Sequence, residues 1–207
     1  MENLIINIIN TTLFSFLVIL NINLCFCFGN FFIRKIIPSN SDQEFYNKKD
    51  LIIEIIFGFI IICNLLSLIN FFFKINYIIF IILIIFSLFS FIQYRSIIFD
   101  KKKFKILLIY FFAILCLSKI SMISFFDSDT GYYHIPVVKI YNDYNTIFGL
   151  ANLFPQYGFN NLNFYYSAMI TANPFLERFF AVPTVFFFFI ISIYLFYCRK
   201  DYKNNFI

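Results

Sequence analysis

The sequence is short of charge, glycine, histidine and tryptophan. Only 13% of its 207 residues are charged, against roughly 25% in an average soluble domain, while 61% are hydrophobic. A water-soluble fold could not hide that much apolar surface, so lipid must be the solvent for most of the chain. The five glycines are widely scattered, which excludes a P-loop or a Rossmann dinucleotide fingerprint.

The five cysteines all lie in or at the ends of apolar segments. Cys25 and Cys27 form C-x-C rather than C-x-x-C, and no histidine lies nearby to complete a metal site. We interpret the cysteines as small buried hydrophobes and expect no disulfide framework. The basic residues behind the net charge of +5 flank the apolar segments, so they indicate topology rather than a nucleic acid partner.

Five apolar segments meet or approach the roughly 20 residues that a helix needs to cross a bilayer. They predict an all-α, polytopic membrane helical bundle with about five transmembrane helices. Residues 1–126 hold four of these helices, residues 127–174 form a loop, and residues 175–207 hold the fifth helix and a basic cytoplasmic tail. The segments run from about 4 to 32, 51 to 73, 75 to 92, 106 to 123 and 175 to 198.

Basic loops alternate with basic-poor ones along the chain. The first and third connections and the C-terminal tail are rich in lysine and arginine. The second connection is a tight turn around Lys74, and the fourth opens with Asp127 and Asp129. Because basic loops stay in the cytoplasm, the N-terminus is predicted outside, the C-terminus inside, and the 127–174 loop extracytoplasmic.

Polar residues inside the apolar segments have structural interpretations. Glu54 lies one turn into the second segment, near its cytoplasmic end, where its carboxylate can reach the interface, and we favour a structural role over a functional one. The asparagines and threonines of the first segment are predicted to form hydrogen bonds between helices.

The 127–174 loop differs in kind from the rest of the chain. It holds seven of the 14 tyrosines, three of the five glycines and the only histidine, His134. Tyrosine favours the membrane–water boundary, so the simplest interpretation is an amphipathic segment that lies on the outer leaflet. The loop is predicted to contain two short amphipathic helices. The second begins near Leu162, with Asn160 or Asn161 as its cap.

The front of the loop brings carboxylates and an imidazole to the start of the first short helix. Asp129 or Thr130 is one candidate N-cap, and Pro136 in the first turn with His134 near the cap is the alternative. Asp127 and Asp129 could bind a divalent cation such as Mg or Mn through oxygen ligands. They could equally supply a general base, or Asp129 could simply cap the helix.

Three stretches of this loop resemble an uncharacterised bacterial group of polytopic membrane proteins, which in turn look like GT-C-type glycosyltransferases that use lipid-linked sugars. About four helices precede the motif in that group, as they do in this sequence. Two positions depart from the group's pattern: Phe154 stands where histidine is common, and Gln156 where arginine is common. The three stretches are DTGYYH at 129–134, GLANL at 149–153 and GFN at 158–160.

The resemblance implies roles for individual residues. Asp129 would bind metal or act as base, with His134 as the second catalytic residue. The other motif residues would bind the substrate. Gln156 cannot bind a phosphate bidentately as an arginine does. The expected substrate-binding residues are Tyr132, Tyr133, Asn152, Gln156 and Asn160.

The expected function is transfer of a sugar from a polyprenyl-phosphate carrier to an envelope glycan or lipid, by a multi-pass protein of the bacterial inner (cytoplasmic) membrane. The partners are the lipid bilayer and the polyprenyl-phosphate-linked sugar. GT-C proteins typically have eight or more spans, so the chain is expected to match only the N-terminal portion of one. The alternatives are a non-catalytic membrane component of polysaccharide polymerisation or export, or an inactive fragment.

The charge alternation generates a direct test of topology. A reporter enzyme that is active only in the cytoplasm should be active when it is fused after Lys203, because the basic tail resists export. A reporter activity that reports export from this fusion would contradict the predicted topology.

Overall fold

The computed structural model describes residues 2–36, 48–98, 112–118, 130–158 and 161–204, and these residues are helical with short connections. A π-helical turn at Thr130–His134 precedes α5, and 3-10 turns at Pro155–Gly158 and Pro174–Phe179 precede α7 and α8. The α-helices are α1 (Glu2–Ile36), α2 (Lys48–Phe72), α3 (Tyr77–Ile98), α4 (112–118), α5 (Ile135–Asp143), α6 (Leu150–Leu153), α7 (Leu162–Thr171) and α8 (Val182–Asn204). The all-α prediction is confirmed for these parts of the chain.

Two helices are long and apolar enough to cross a membrane. Their apolar stretches are Ile5–Ile33 and Ile52–Phe72, of 29 and 21 residues. At about 1.5 Å per residue both exceed the roughly 30 Å of a hydrocarbon core. Two further apolar stretches, Tyr77–Phe89 and Val182–Leu195, are shorter. Of the fourth predicted segment the structure describes only 112–118, so the five-helix count stays a prediction.

Large apolar side chains lie on the outer faces of the helices as well as in the core, and several polar side chains are buried. One face of α3 shows the pattern clearly, because its exposed residues recur at the three- and four-residue spacing of a helical stripe. Its exposed apolar residues are Ile78, Ile81, Ile82, Ile85, Leu88 and Phe89. The buried polar residues of the described chain are Ser15, Asn21, Asn30, Asn70, Ser87, Ser118, Ser167 and Thr171. This arrangement suits an apolar solvent.

Several of the buried polar groups join α1 to its neighbours. Asn23 Nδ2 donates to Ser87 Oγ of α3 at 2.5 Å, and Asn30 Nδ2 donates to Glu54 Oε1 of α2 at 3.2 Å. Ser15 Oγ donates to Ser118 Oγ of α4 at 3.0 Å. The predicted interhelical role is therefore confirmed for Asn23 and Asn30, whereas Thr11, Thr12 and Asn21 donate to carbonyl oxygens four residues earlier in α1.

The backbones of α1 and α2 touch where two glycines face each other. A Cβ on Gly29 would overlap the carbonyl oxygen of Glu54, and a Cβ on Gly58 would overlap the carbonyl oxygen of Cys25. Only hydrogen side chains permit so close a crossing, and small residues play this part in helix packing within membranes. The crossing fixes α2 antiparallel to α1, since the order along one helix is reversed along the other.

Helix α7 enters the bundle instead of lying on its surface. Every residue from Phe164 to Thr171 is buried. The Tyr166 hydroxyl lies 3.4 Å from Cys25 Sγ of α1, and the Tyr166 ring packs 5.0 Å from Phe59 of α2. The prediction of a second amphipathic helix therefore differs from the structure, because α7 has no exposed face along this stretch. Helix α5 has the expected two faces, with Val137 and Val138 buried and Lys139 exposed.

The glycine crossing gives a stability prediction. Gly29→Ala should force α1 and α2 apart and lower the free energy of unfolding by about 1–3 kcal/mol, the usual cost of overpacking. Thermal unfolding of the purified protein in detergent measures this. Ile60→Leu on the exposed face of α2 is the control, and equal stability of both variants would contradict the crossing.

Candidate functional site

The candidate site lies where the 127–174 region meets the turn between α2 and α3. The cap is defined as residues 130–158 together with α7. The α2–α3 turn is Phe73–Asn76, as the tight turn around Lys74 predicted. Asn76 caps the start of α3, since its Oδ1 accepts from the backbone N–H of Ile79 at 3.3 Å.

Asn70, the buried residue near the end of α2, holds the cap to the bundle. Its Nδ2 donates to the carbonyl oxygens of Tyr141 at 3.3 Å and Tyr144 at 3.2 Å. Its own carbonyl accepts from the backbone N–H of Thr146 at 2.9 Å, and Ile75 N–H donates to the Tyr141 carbonyl at 2.9 Å. The chain after α5 is therefore tied to the end of α2 by both side chain and backbone.

Asn142 makes the second connection. Its neighbours fix the orientation of the side-chain amide. The amide nitrogen donates to the carbonyl oxygens of Ile75 at 3.2 Å and Ala168 at 2.8 Å, while its oxygen accepts from Thr171 Oγ1 at 3.2 Å. One side chain thus joins α5, α7 and the α2–α3 turn.

Stacked tyrosines lie beneath these bonds. The rings of Tyr141 and Tyr165 are 4.2 Å apart and nearly parallel, with an interplanar angle of 4°. Burial raises the pKa of Tyr141, and the hydrogen bond and proximity of Tyr165 raise it further. Tyr141 is therefore a neutral hydrogen-bonding group at physiological pH and cannot serve as an anionic base.

A cavity of about 460 Å³ opens between the cap and the α2–α3 turn. Its wall comes from four places in the chain: the α2–α3 turn with the start of α3, the helix α5, the end of α7, and Phe180. Among the described residues its wall contains two lysines, one carboxylate, amide and hydroxyl groups, and two aromatic rings. The polar and aromatic residues that line it are Lys74, Asn76, Tyr77, Lys139, Asn142, Asp143, Thr171 and Phe180.

The catalytic residues expected from the sequence are only partly placed. Asp127, Asp129 and Asn160 lie outside the described residues. The helical run already begins with the Thr130–His134 turn, His134 has helical backbone angles (φ −63°, ψ −54°) and makes no side-chain cap bond, and Pro136 lies in the first turn of α5. The His134 ring packs 4.2 Å from the Tyr133 ring and 5.0 Å from the Phe164 ring.

The four expected substrate-binding residues that the structure describes lie in the cap but are not among the residues lining the cavity. Tyr132 is 72% exposed, and Tyr133 is half-buried. Asn152 is exposed on α6, and Gln156 is exposed on the 3-10 turn that follows. Their roles stay predictions.

The predicted cap of α7 is confirmed at Asn161. Its side-chain oxygen accepts from the backbone N–H of Asn163 at 3.0 Å, and α7 begins at Leu162. Gly149, which precedes α6, has a φ of 81°, in the left-handed region that favours glycine. Local sequence signals thus placed the ends of the short helices correctly.

Within the described residues, no group of three His, Cys, Asp or Glu side chains converges as a metal site. The predicted divalent cation depends on Asp127 and Asp129, which those residues do not include, so it stays a prediction.

The sequence interpretation missed the residues that line the cavity. The sequence places Lys74 in a predicted turn, and no motif marks Lys139, Asn142 or Thr171. One signal was available: Lys74 and Lys139 are basic residues on the side of the chain that the positive-inside rule leaves poor in basic residues.

Comparison with known proteins defines the family. The chain belongs to the family described as a domain of unknown function (DUF8201), whose model matches residues 11–207. No curated protein and no solved structure matches the chain significantly.

The bonds of Asn70 give a prediction about the cap. Asn70→Ala leaves the Tyr141 and Tyr144 carbonyls short of a donor, which should cost about 1–3 kcal/mol of stability. Cleavage between Tyr144 and Leu153 in limited proteolysis should become faster. Asn64→Ala is the matched control, since exposed Asn64 bonds only to the Ile60 carbonyl of its own helix. Identical cleavage of the two variants would refute the role of Asn70.

Proposed function

We propose that this chain is an integral membrane protein of the bacterial inner membrane, with a GT-C-like glycosyltransferase site on the extracytoplasmic side. The reaction is transfer of a sugar from a polyprenyl-phosphate carrier to an envelope glycan or lipid, by this chain or by a longer enzyme that contains it. The observation that carries the proposal is the polar cavity beneath the cap, at one end of a bundle whose outer faces are apolar.

The position of the cap supports the side assigned to it. The cap is hydrogen-bonded to the α2–α3 turn, so these two connections lie at the same end of the bundle. Both connections are outside in the topology that the loop charges favour. A single extracytoplasmic compartment therefore accounts for both.

The neighbourhood of the cavity suits a substrate that is part lipid and part carbohydrate. The start of α3 contributes Tyr77 to the wall, and the exposed stripe of α3 begins at the next residue, Ile78. A prenyl chain on that stripe would leave its head group at the cavity mouth. The amide of Asn76 and the aromatic rings of Tyr77 and Phe180 in the wall are groups that recognise sugars.

Asp129 is proposed as the catalytic carboxylate. In the sequence it directly precedes the Thr130–His134 turn. In this role Asp129 takes the proton from the acceptor hydroxyl, or holds a divalent cation that polarises the donor phosphate. His134, at the end of the same turn, positions that proton or passes it on.

Asp129→Asn tests the catalytic role, because it keeps the shape of the side chain and removes its charge. In cells whose only copy carries this change, transfer of labelled sugar from the lipid-linked pool to the envelope should fall at least about 100-fold, a usual contribution of general acid–base catalysis. The unused lipid-linked sugar should accumulate in organic extracts.

Asp201→Asn in the basic tail is the matched control and should leave transfer unchanged. Undiminished transfer by Asp129→Asn, at equal amounts of protein in the membrane, would rule out the catalytic role. If Tyr132→Ala or Tyr133→Ala then reduced envelope glycan, the alternative of a non-catalytic polymerisation or export component would replace it.

A further inference from the structure

The cavity under the cap has an excess of positive charge. Lys74 reaches it from the α2–α3 turn and Lys139 from α5, 65 positions later in the chain, and among the described residues of its wall Asp143 is the only carboxylate. Two lysine side chains thus line one pocket whose volume, about 460 Å³, falls within the range of small-molecule sites.

The two lysines are not accounted for by ion pairing. Among the residues that the structure describes, neither forms an ion pair with Asp143 or another carboxylate within 4.0 Å. Lys139 also lies before the last turn of α5, so it is not placed to neutralise the carboxyl end of that helix. Both ammonium groups remain available to an anionic ligand.

The amides of Asn142 and Asn76 in the wall differ in how far their hydrogen bonds are already used within the protein. The amide of Asn142 is saturated by the Ile75 and Ala168 carbonyls and by Thr171, so it shapes the wall and does not bind ligand. Asn76 uses its oxygen to cap α3, which leaves its NH₂ group as a donor. Donors and cations therefore dominate the groups that a ligand can meet, as a phosphate requires.

The start of α3 indicates what is attached to the phosphate. Tyr77 is in the wall and 52% exposed, and Ile78, Ile81, Ile82 and Ile85 continue from it along one exposed apolar face. A ligand whose phosphate lies between the lysines can extend an apolar chain along this face. Gln156, which cannot grip a phosphate bidentately, is not in the wall.

We propose that the cavity is a binding site for the phosphate group of a prenyl phosphate, with Lys74 and Lys139 as its direct contacts and the exposed face of α3 as the seat of the prenyl chain. The choice of a prenyl carrier rests on the proposed function. The phosphate site itself rests on the cavity and on two lysines that form no ion pair with any carboxylate the structure describes.

Binding to the purified full chain in neutral detergent tests the site, with farnesyl phosphate, farnesol and inorganic phosphate as the probes for isothermal titration calorimetry. Farnesyl phosphate should bind, and farnesol should bind at least about tenfold more weakly. Lys74→Gln and Lys139→Gln should each weaken farnesyl phosphate binding about tenfold, because each removes one charge-assisted contact. Lys74→Arg should retain binding, and Lys203→Gln in the tail is the matched control. Thermal unfolding of each variant shows that it is folded.

Unchanged binding by the folded lysine-to-glutamine variants would overturn the phosphate site. Equal affinity for inorganic phosphate and farnesyl phosphate would overturn the lipid ligand, because the prenyl chain would then contribute nothing. Asp129→Asn should bind farnesyl phosphate normally. If farnesyl phosphate binding depends on the lysines but sugar transfer is independent of Asp129, the glycosyltransferase is refuted and the phosphate site stands. If sugar transfer depends on Asp129 but the lysine variants bind farnesyl phosphate normally, the phosphate site is refuted and the glycosyltransferase stands.

Discussion

The contact of two backbones at Gly29 and Gly58 determines how the rest of the described chain is arranged. With hydrogen side chains at both positions, α1 and α2 approach until each glycine meets a carbonyl of the other helix. The approach brings Asn30 to Glu54 and leaves Cys25 and Phe59 on one side of the pair, where Tyr166 of α7 packs against both. In lipid, where water does not drive helices together, such close packing and a few buried hydrogen bonds must supply the association energy.

The insertion of α7 follows from that arrangement and explains why the cap is a built structure and not a loose loop. With Phe164–Thr171 buried in the bundle, the end of α7 lies under α5, and Asn142 can bond both helices to the α2–α3 turn. The cavity is what remains between these elements. Its lysines come from segments that this docking brings together, so the proposed phosphate site depends on the packing of α1, α2 and α7.

Signals that act within a few residues allowed much of the structure to be predicted. The lengths of the apolar segments predict α1, α2 and α3, and a polar break predicts the turn at Lys74. The side-chain chemistry of asparagine predicts the cap at Asn161. The burial of α7 could not be predicted in this way, because its tyrosines are equally suited to an interface and to a pocket that offers their hydroxyl a partner such as Cys25. The cavity was missed for a related reason: Lys74 and Lys139 converge only through tertiary contacts. Asp127, Asp129 and Asn160 lie outside the described residues, so the catalytic part of the proposal still depends on the family resemblance.

The central claim is that the cap is docked on the α2–α3 turn at the extracytoplasmic end of the bundle. It is tested most directly by cross-linking in intact cells, with cysteines at positions 74 and 139 in an otherwise cysteine-free chain and a short, charged bis-maleimide that does not cross membranes. Mass spectrometry of the digested protein should find the two positions joined in cells that were never permeabilised, since both lysines line one cavity. A cross-link that forms only after permeabilisation would place the cavity on the cytoplasmic side, and no cross-link under either condition would contradict the docking of the cap.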